Sequence, residues 1–150
     1  MAKKKPAGVA ETEDYILEEQ AGFLLRRAHQ RATAIFMDIT ADLELTPRQF
    51  SVLMKVMEDG AVSQNRLGRQ TAMDPATMQG VIRRLVERGL VARRADPTDR
   101  RRTLLSLTAA GRALVEGGLG ARGIRVTAKT LAPLRPGERA TFLRLLKKLT

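Results

Sequence analysis

Apolar side chains recur at helical spacing along one stretch of the chain, where Met78, Val81, Ile82, Leu85 and Val86 share a face and Thr77, Gln79, Gly80, Arg83 and Arg84 point elsewhere. Asp74 is a good N-cap and Pro75 takes the first helical position, where no N–H is needed. Gly89 supplies a left-handed ending, with Leu85 and Leu90 placed for its apolar contact. The pattern then shortens to two strands, Leu90-Val91-Ala92-Arg93 and Thr103-Leu104-Leu105-Ser106-Leu107, joined by Asp96-Pro97-Thr98-Asp99 and the arginines that follow. A helix running into a basic hairpin predicts a winged helix-turn-helix, the helix for the major groove and the wing for phosphates or the minor groove.

Upstream, from about Glu13 to Leu43, Leu17, Ala21, Leu24, Ala28, Ala32, Ile35 and Ile39 step by three and four and predict one long amphipathic helix. Tyr15, Phe23, Phe36 and Met37 lie off that stripe, so a second face is partly apolar, as expected of a helix that also meets a partner subunit. Core, interface and the lining of a ligand pocket all remain open for these aromatics. Thr46-Pro47-Arg48-Gln49 has cap, proline and capping-box glutamine in order; Phe50, Leu53, Met54 and Met57 form the apolar face of that helix before Asp59-Gly60 ends it. A short helix begins at Ser63-Gln64-Asn65-Arg66-Leu67, and Thr71-Ala72-Met73 makes the turn to Asp74.

After the wing, Thr108 caps a second long helix whose seam, Leu107, Ala110, Leu114, Gly117, Ala121, Ile124, Ala128 and Leu131, is mainly small. Glycines 111, 117, 118, 120 and 123 oppose it, at about 1 kcal/mol each relative to alanine, and threaten a kink around Gly117-Gly118-Leu119-Gly120; tertiary contacts are expected to hold the helix. Pro133, Pro136 and Gly137 mark a loop, and Glu138 to Leu149 predicts a final helix with Lys147 and Lys148 favourably near its end. The expected fold class is mainly α with a small β wing: a winged helix-turn-helix lobe at about 45–107, plus a helical dimerisation lobe formed by 13–43 and 108–149. Residues 1–12 read as a disordered basic tail.

Charge sharpens this picture. The 27 lysines and arginines exceed the 16 acids, for a net charge of +11, and between Ser63 and Arg102 ten arginines face four acids. That stretch therefore carries more than half of the excess, which favours a polyanionic partner. Any single arginine is as readily a solvated surface residue; the hairpin cluster taken together favours phosphate. The absence of cysteine excludes disulfides, thiolate zinc sites, thiol nucleophiles and cysteine-based sensing, and His29 alone builds no histidine metal site. No catalytic triad, carboxylate pair or phosphate loop stands out, so no enzyme activity and no cofactor is expected. With no apolar run near the roughly 18 residues a span requires and no secretory leader, the chain is expected to be cytoplasmic and away from membranes. A nonspecific DNA-coating protein is the alternative; scarce aromatics argue against single-strand stacking.

Three runs carry a specific resemblance: Leu85-Val86-Glu87-Arg88-Gly89-Leu90-Val91-Ala92-Arg93, Asp96-Pro97-Thr98-Asp99-Arg100-Arg101 and Leu107-Thr108-Ala109-Ala110-Gly111. Over about Glu13 to Leu149 the chain resembles the MarR family of bacterial transcription regulators. The resemblance implies a homodimer that binds a pseudo-palindromic double-stranded operator and usually represses nearby genes. It implies that Asp74 to Arg88 reads the major groove, that Asp99 holds a wing arginine, and that Arg101 enters the minor groove.

The residue types then suggest individual contacts. Gln79 suits adenine, Arg83 or Arg84 suits guanine, and Thr77 suits a phosphate or a thymine methyl. Ser63, Gln64, Asp74, Pro75 and Ala76 stand at the two helix starts expected beside the DNA, and Arg93, Arg94, Arg100, Arg101 and Arg102 in the wing. Only one of Arg93 and Arg94 faces the DNA if their strand is regular. The segment from Gly22 to Arg31, with Ile35-Phe36, is similar to the branch that controls aromatic-acid degradation. That similarity implies an effector that is an aromatic carboxylate or its CoA thioester. His29, Arg26 or Arg27 would meet its carbonyl or carboxylate, with Phe23, Phe36, Phe50 and Met54 around the ring. Equally open is a reading in which Arg26, Arg27 and Arg31 are solvated and His29 is packed.

Overall fold

The computed structural model describes residues 15–150. In order the elements are α1 (Ala21–Ile39), α2 (Pro47–Asp59), β1 (Ala61–Ser63), α3 (Gln64–Gln70), α4 (Pro75–Glu87), β2 (Val91–Ala95), β3 (Thr103–Leu107), α5 (Ala109–Leu114), α6 (Gly120–Thr130) and α7 (Pro136–Leu146). The architecture is mainly helical with one small antiparallel sheet, ordered β1-β3-β2, so the expected fold class holds.

The local signals act as their chemistry dictates. Thr46 and Gln49 form a reciprocal capping box, with Thr46 N–H donating to Gln49 Oε1 at 2.9 Å and Gln49 N–H to Thr46 Oγ1 at 3.3 Å. Gly89 ends α4 at φ 67°. There Gly89 N–H donates to the Val86 carbonyl (2.9 Å) and Leu90 N–H to the Leu85 carbonyl (3.0 Å), the paired bonds of a Schellman ending. Met78, Ile82 and Leu85 are fully buried and Val81 nearly so. They meet Leu53, Val56, Val62, Leu67, Val91 and Leu105 in one core beneath the sheet and α2 to α4.

Several expectations about helices and strands change. The opening helix is shorter than 13–43: it runs from Ala21 to Ile39, between single turns at Leu17–Glu19 and Ala41–Leu43. Gln20 is extended and its side chain donates to the Ile16 carbonyl at 2.9 Å, which separates the first turn from the helix. The expected stripe is not the buried face of the chain. Leu17 and Leu24 are nearly half exposed, and Phe36, placed off the stripe, is the buried residue of α1. Phe36 meets Phe50 edge to face, with ring centroids 5.4 Å apart and planes at 84°.

The second long helix is interrupted. Between α5 and α6 the backbone makes a wide π turn over Val115–Leu119, and Gly118 adopts φ 104°, a conformation closed to most side chains. Two other glycines of that stretch, Gly111 and Gly123, have packing reasons, whereas a Cβ on Gly117 would meet nothing within 4 Å. A Cβ on Gly111 would overlap the Leu90 carbonyl, and one on Gly123 would stand 2.8 Å from Phe50 Cζ. The middle of the seam is uncovered in the single chain, with Ile124 73% exposed, while Leu131 is buried and Leu107 and Leu114 pack on the core. The first wing strand starts at Val91, since Leu90 is used to end α4, and β1 is an unexpected third strand, pairing Val62 with Leu105. The final helix begins at Pro136, ahead of Glu138, and ends at Leu146 in a tighter turn. The tail expected at residues 1–12 lies outside the described residues.

Candidate nucleic-acid interface and adjoining cleft

Helix α4 buries one side and leaves Gln79, Arg83 and Arg84 exposed along the other, with Asp74, Pro75 and Ala76 exposed at its start. The Asp74 carboxylate is committed to the cap: Oδ1 accepts from Thr77 N–H at 2.9 Å and Oδ2 from the Thr77 hydroxyl at 2.6 Å. Those bonds, the hydroxyl's above all, hold its pKa below the ordinary carboxylate value. Thr77 thus spends its proton on Asp74 and keeps oxygen lone pairs and a methyl. Arg83 Nε lies 3.8 Å from Glu87 Oε1 in an exposed pair, too loosely tied to hold the guanidinium back from a base edge. At the other helix start Ser63 caps α3, its hydroxyl accepting from Arg66 N–H at 3.4 Å. Gln64 follows at the mouth of a small groove of about 250 Å³ shared with Met73 and Pro75.

The wing is built by its aspartates. Asp96 Oδ1 accepts from Thr98 N–H (2.8 Å) and from the Thr98 hydroxyl (2.7 Å), the latter chiefly lowering its pKa. Asp99 Oδ1 accepts from Arg101 N–H at 3.0 Å, while Oδ2 lies 3.4 Å from Arg102 Nε. The arginine that Asp99 holds is therefore Arg102, and Arg100 and Arg101 project outward from a braced tip, both exposed. Register settles the faces of the preceding strand. Arg93 pairs with Leu105 and shares the side of buried Val91, whereas Arg94 pairs with Leu104 on the opposite side.

The residues singled out for an effector are not gathered into one cavity. Phe23 packs under Arg26 and Arg27, whose guanidinium carbons stand 5.3 and 5.8 Å from its ring centroid, on the first half of α1. Phe36, Phe50 and Met54 sit near the opposite end of that helix, Phe50 against Gly123 and Met54 against Gly120. His29 lies between these groups and borders two clefts. One, of about 410 Å³, lies among α1, α2 and α4, and adds Thr33, Thr46, Arg48, Thr77, Gly80 and Arg84 to His29. The other, of about 450 Å³, is mostly apolar and runs between α1 and the end of the chain, lined by Leu25, Ala28, Leu131, Leu134, Phe142 and Leu146 beside His29.

Arg48 escaped the sequence reading. Its signal was a cation in the first turn of α2, where the helix dipole disfavours positive charge. A local misfit of that kind marks a residue retained for another purpose. Together Arg48, Arg84 and His29 make the 410 Å³ cleft a place for a small anion with an apolar body. Among the described residues no helix is long and apolar enough to cross a membrane, and no group of side chains could hold a metal ion.

Comparison with known proteins bears on both features. Residues 45–103 match the MarR family. The HTH-type transcriptional repressor NicR of Pseudomonas putida is 38% identical, over 99% of this chain and 95% of that protein. The structure of Bordetella bronchiseptica BpsR, whose DNA binding is regulated by 6-hydroxynicotinic acid, superposes with a TM-score of 0.84 at 44% identity, covering 90% of this chain and 96% of that one. PcaV of Streptomyces coelicolor, solved with its natural ligand, gives a TM-score of 0.81 at 32% identity over 90% and 94% of the two chains.

Proposed function

Since the chain belongs to the MarR family of transcription regulators, we propose that it is a repressor that binds a pseudo-palindromic operator as a homodimer and lets go when a small aromatic or N-heteroaromatic carboxylic acid fills the cleft among α1, α2 and α4. The observation that carries the reading is Arg84. It stands on the exposed side of the helix assigned to the major groove and also lines that cleft. A carboxylate drawn to Arg84 and Arg48 competes with DNA for the same guanidinium and favours the unbound pose of α4, the differential affinity that release requires. The cleft volume suits a monocyclic acid, and the relative regulated by 6-hydroxynicotinic acid supports the same class.

Homodimerisation is supported by uncovered apolar side chains on α1, α6 and α7: Leu24, Leu25, Met37, Ile124, Leu143 and Leu145 are 38% exposed or more. Exposed apolar side chains of this number are expected to be buried by a second copy. The Asp74 to Arg88 helix then reads bases through Gln79, Arg83 and Arg84, and Arg100 and Arg101 in the wing take the minor groove and phosphates.

The test is binding of the purified protein to its own upstream DNA against random competitor at fixed salt. It is run with nicotinate, 6-hydroxynicotinate, benzoate, hydroxybenzoates and the matching CoA thioesters. Preference for upstream DNA that one free acid abolishes supports the reading. Release by a thioester alone moves the effector class, and equal affinity for random DNA supports a coating protein in its place.

A further inference from the structure

Residues 40–45 are gripped by arginines from two different parts of the fold. Arg88, the residue that closes α4, donates from Nη1 to the Glu44 carbonyl at 2.8 Å and from Nη2 to the Leu43 carbonyl at 2.9 Å. Arg122 of α6 donates from Nη1 to the Ile39 carbonyl at 2.9 Å and from Nη2 to Asp42 Oδ2 at 2.8 Å, its Nη1 also meeting Asp42 Oδ1. The segment between is stiff. Thr40 and Leu45, each 1% exposed, anchor its ends, the Thr40 hydroxyl donates to the Phe36 carbonyl at 2.8 Å, and Glu44 is left-handed at φ 49°. Ile39 and Leu43 end helical turns, so their carbonyls lack intrahelical partners and a guanidinium fork satisfies them in a fixed plane.

We propose that Arg88 and Arg122 are positioning residues for DNA recognition, tying α4 to α6 through residues 40–45 so that the pose of the reading helix is set from the helical lobe. The proposal rests on the reading of α4 as the DNA-reading helix. Arg88 counts toward the basic excess of the sequence, yet both prongs of its guanidinium are occupied inside the molecule. Other routes from α6 to α4 run through α5 and the π turn at Gly118 and through Phe50 of α2, which Gly123 meets; the forked arginines are the route that ends on Arg88, the residue that closes α4. A shift of α6 is therefore delivered to the C-terminal turn of α4 through this segment, on the opposite end of the helix from the cap at Asp74.

The experiment compares wild-type protein with Arg122→Lys, Arg88→Lys and Asp42→Asn. Lysine keeps the charge and loses the fork; asparagine keeps the shape and loses the charge. Amide hydrogen exchange of the free protein is expected to quicken between about twofold and thirtyfold in the last turn of α4 for Arg122→Lys and Asp42→Asn. Exchange in β3 and the middle of α2 should stay at the wild-type rate. In parallel, the ratio of upstream to random DNA affinity falls while the salt dependence of binding is unchanged, since no phosphate contact is lost. Faster exchange confined to 40–45, or an unaltered affinity ratio, overturns the proposal. Should either lysine variant unfold, Asp42→Asn carries the test, because its carboxylate is exposed. Wild-type protein with no preference for upstream DNA sinks the reading of α4 and leaves the exchange result standing, so the two failures are separable.

Discussion

Gly123 of α6 lies against the ring of Phe50 of α2 so closely that a Cβ at that position would stand 2.8 Å from Cζ. Phe50 in turn holds Phe36, so the three positions join α6, α2 and α1. Gly123→Ala is expected to destabilise by about 1–3 kcal/mol, the usual cost of overpacking. Gly111→Ala, aimed at the backbone carbonyl of Leu90, should cost at least as much because backbone yields less than a ring. Gly137→Ala meets nothing within 4 Å and should be neutral or stabilising by about 0.4–1 kcal/mol. Urea unfolding of the three variants checks the order, and a Gly123→Ala protein as stable as wild type would refute the contact.

Arg83 and Arg101 should fail differently. Arg83→Ala is expected to cost about 1–3 kcal/mol on the operator and little on random DNA, because a lost base contact is a lost discrimination. Arg101→Ala should weaken both DNAs and lower the slope of log affinity against log salt by about one per protomer. Titrations on both DNAs at several salt concentrations separate the two; equal losses on both DNAs for both variants would end the division of labour.

Asp99→Ala offers a test in which simple charge counting has the wrong sign. Removing an acid from a basic wing raises the positive charge, and on charge alone DNA affinity would rise. Asp99 accepts from Arg101 N–H and faces Arg102 Nε, so the variant should unbrace the tip and bind all DNA more weakly. Affinity equal to or above that of wild type would show that the brace is dispensable.

The Asp74 carboxyl titrates low in the folded protein, first because the Thr77 hydroxyl and then because its N–H donate to it. A folded pKa below the unfolded one means that the stabilisation is complete above the ordinary carboxylate range and is lost as pH falls through the lowered value. Asp42 and Asp96 have the same sign. Melting temperature should therefore drop from about pH 5 downward, and less steeply in Asp74→Asn, which keeps a good cap without the ionisation. An identical acid profile in that variant would remove Asp74 from the account.

The recognition helix and wing were legible because their limits are written in local chemistry. Asp74, Pro75 and Gly89 fix three backbone conformations whatever the rest of the chain does. The phase of α1 was not legible, since periodicity reports that a face is apolar and is silent on whether α2 or another chain covers it. Thus Leu24 remains exposed while Phe36 is buried. Strand β1 was invisible because Ala61-Val62-Ser63 acquires its conformation from pairing with β3. Gly111 and Gly123 read as defects and prove to be clearances, a property of neighbours distant in sequence. The separation of Phe23 from the pair Phe36 and Phe50 has the same origin, for residue type names a partner class and geometry decides which residues meet.

His29 forms part of the wall of both clefts. Leu25, one of the side chains that the proposed second copy would bury, lines the apolar cleft, and the polar cleft is the one proposed for the effector, so self-association and effector binding would meet at His29. Linkage between them is reciprocal: the factor by which the acid alters self-association is the factor by which self-association alters affinity for the acid. Effector titrations would then shift with dilution, and a cell that makes more of this protein would also retune the concentration of acid to which it responds.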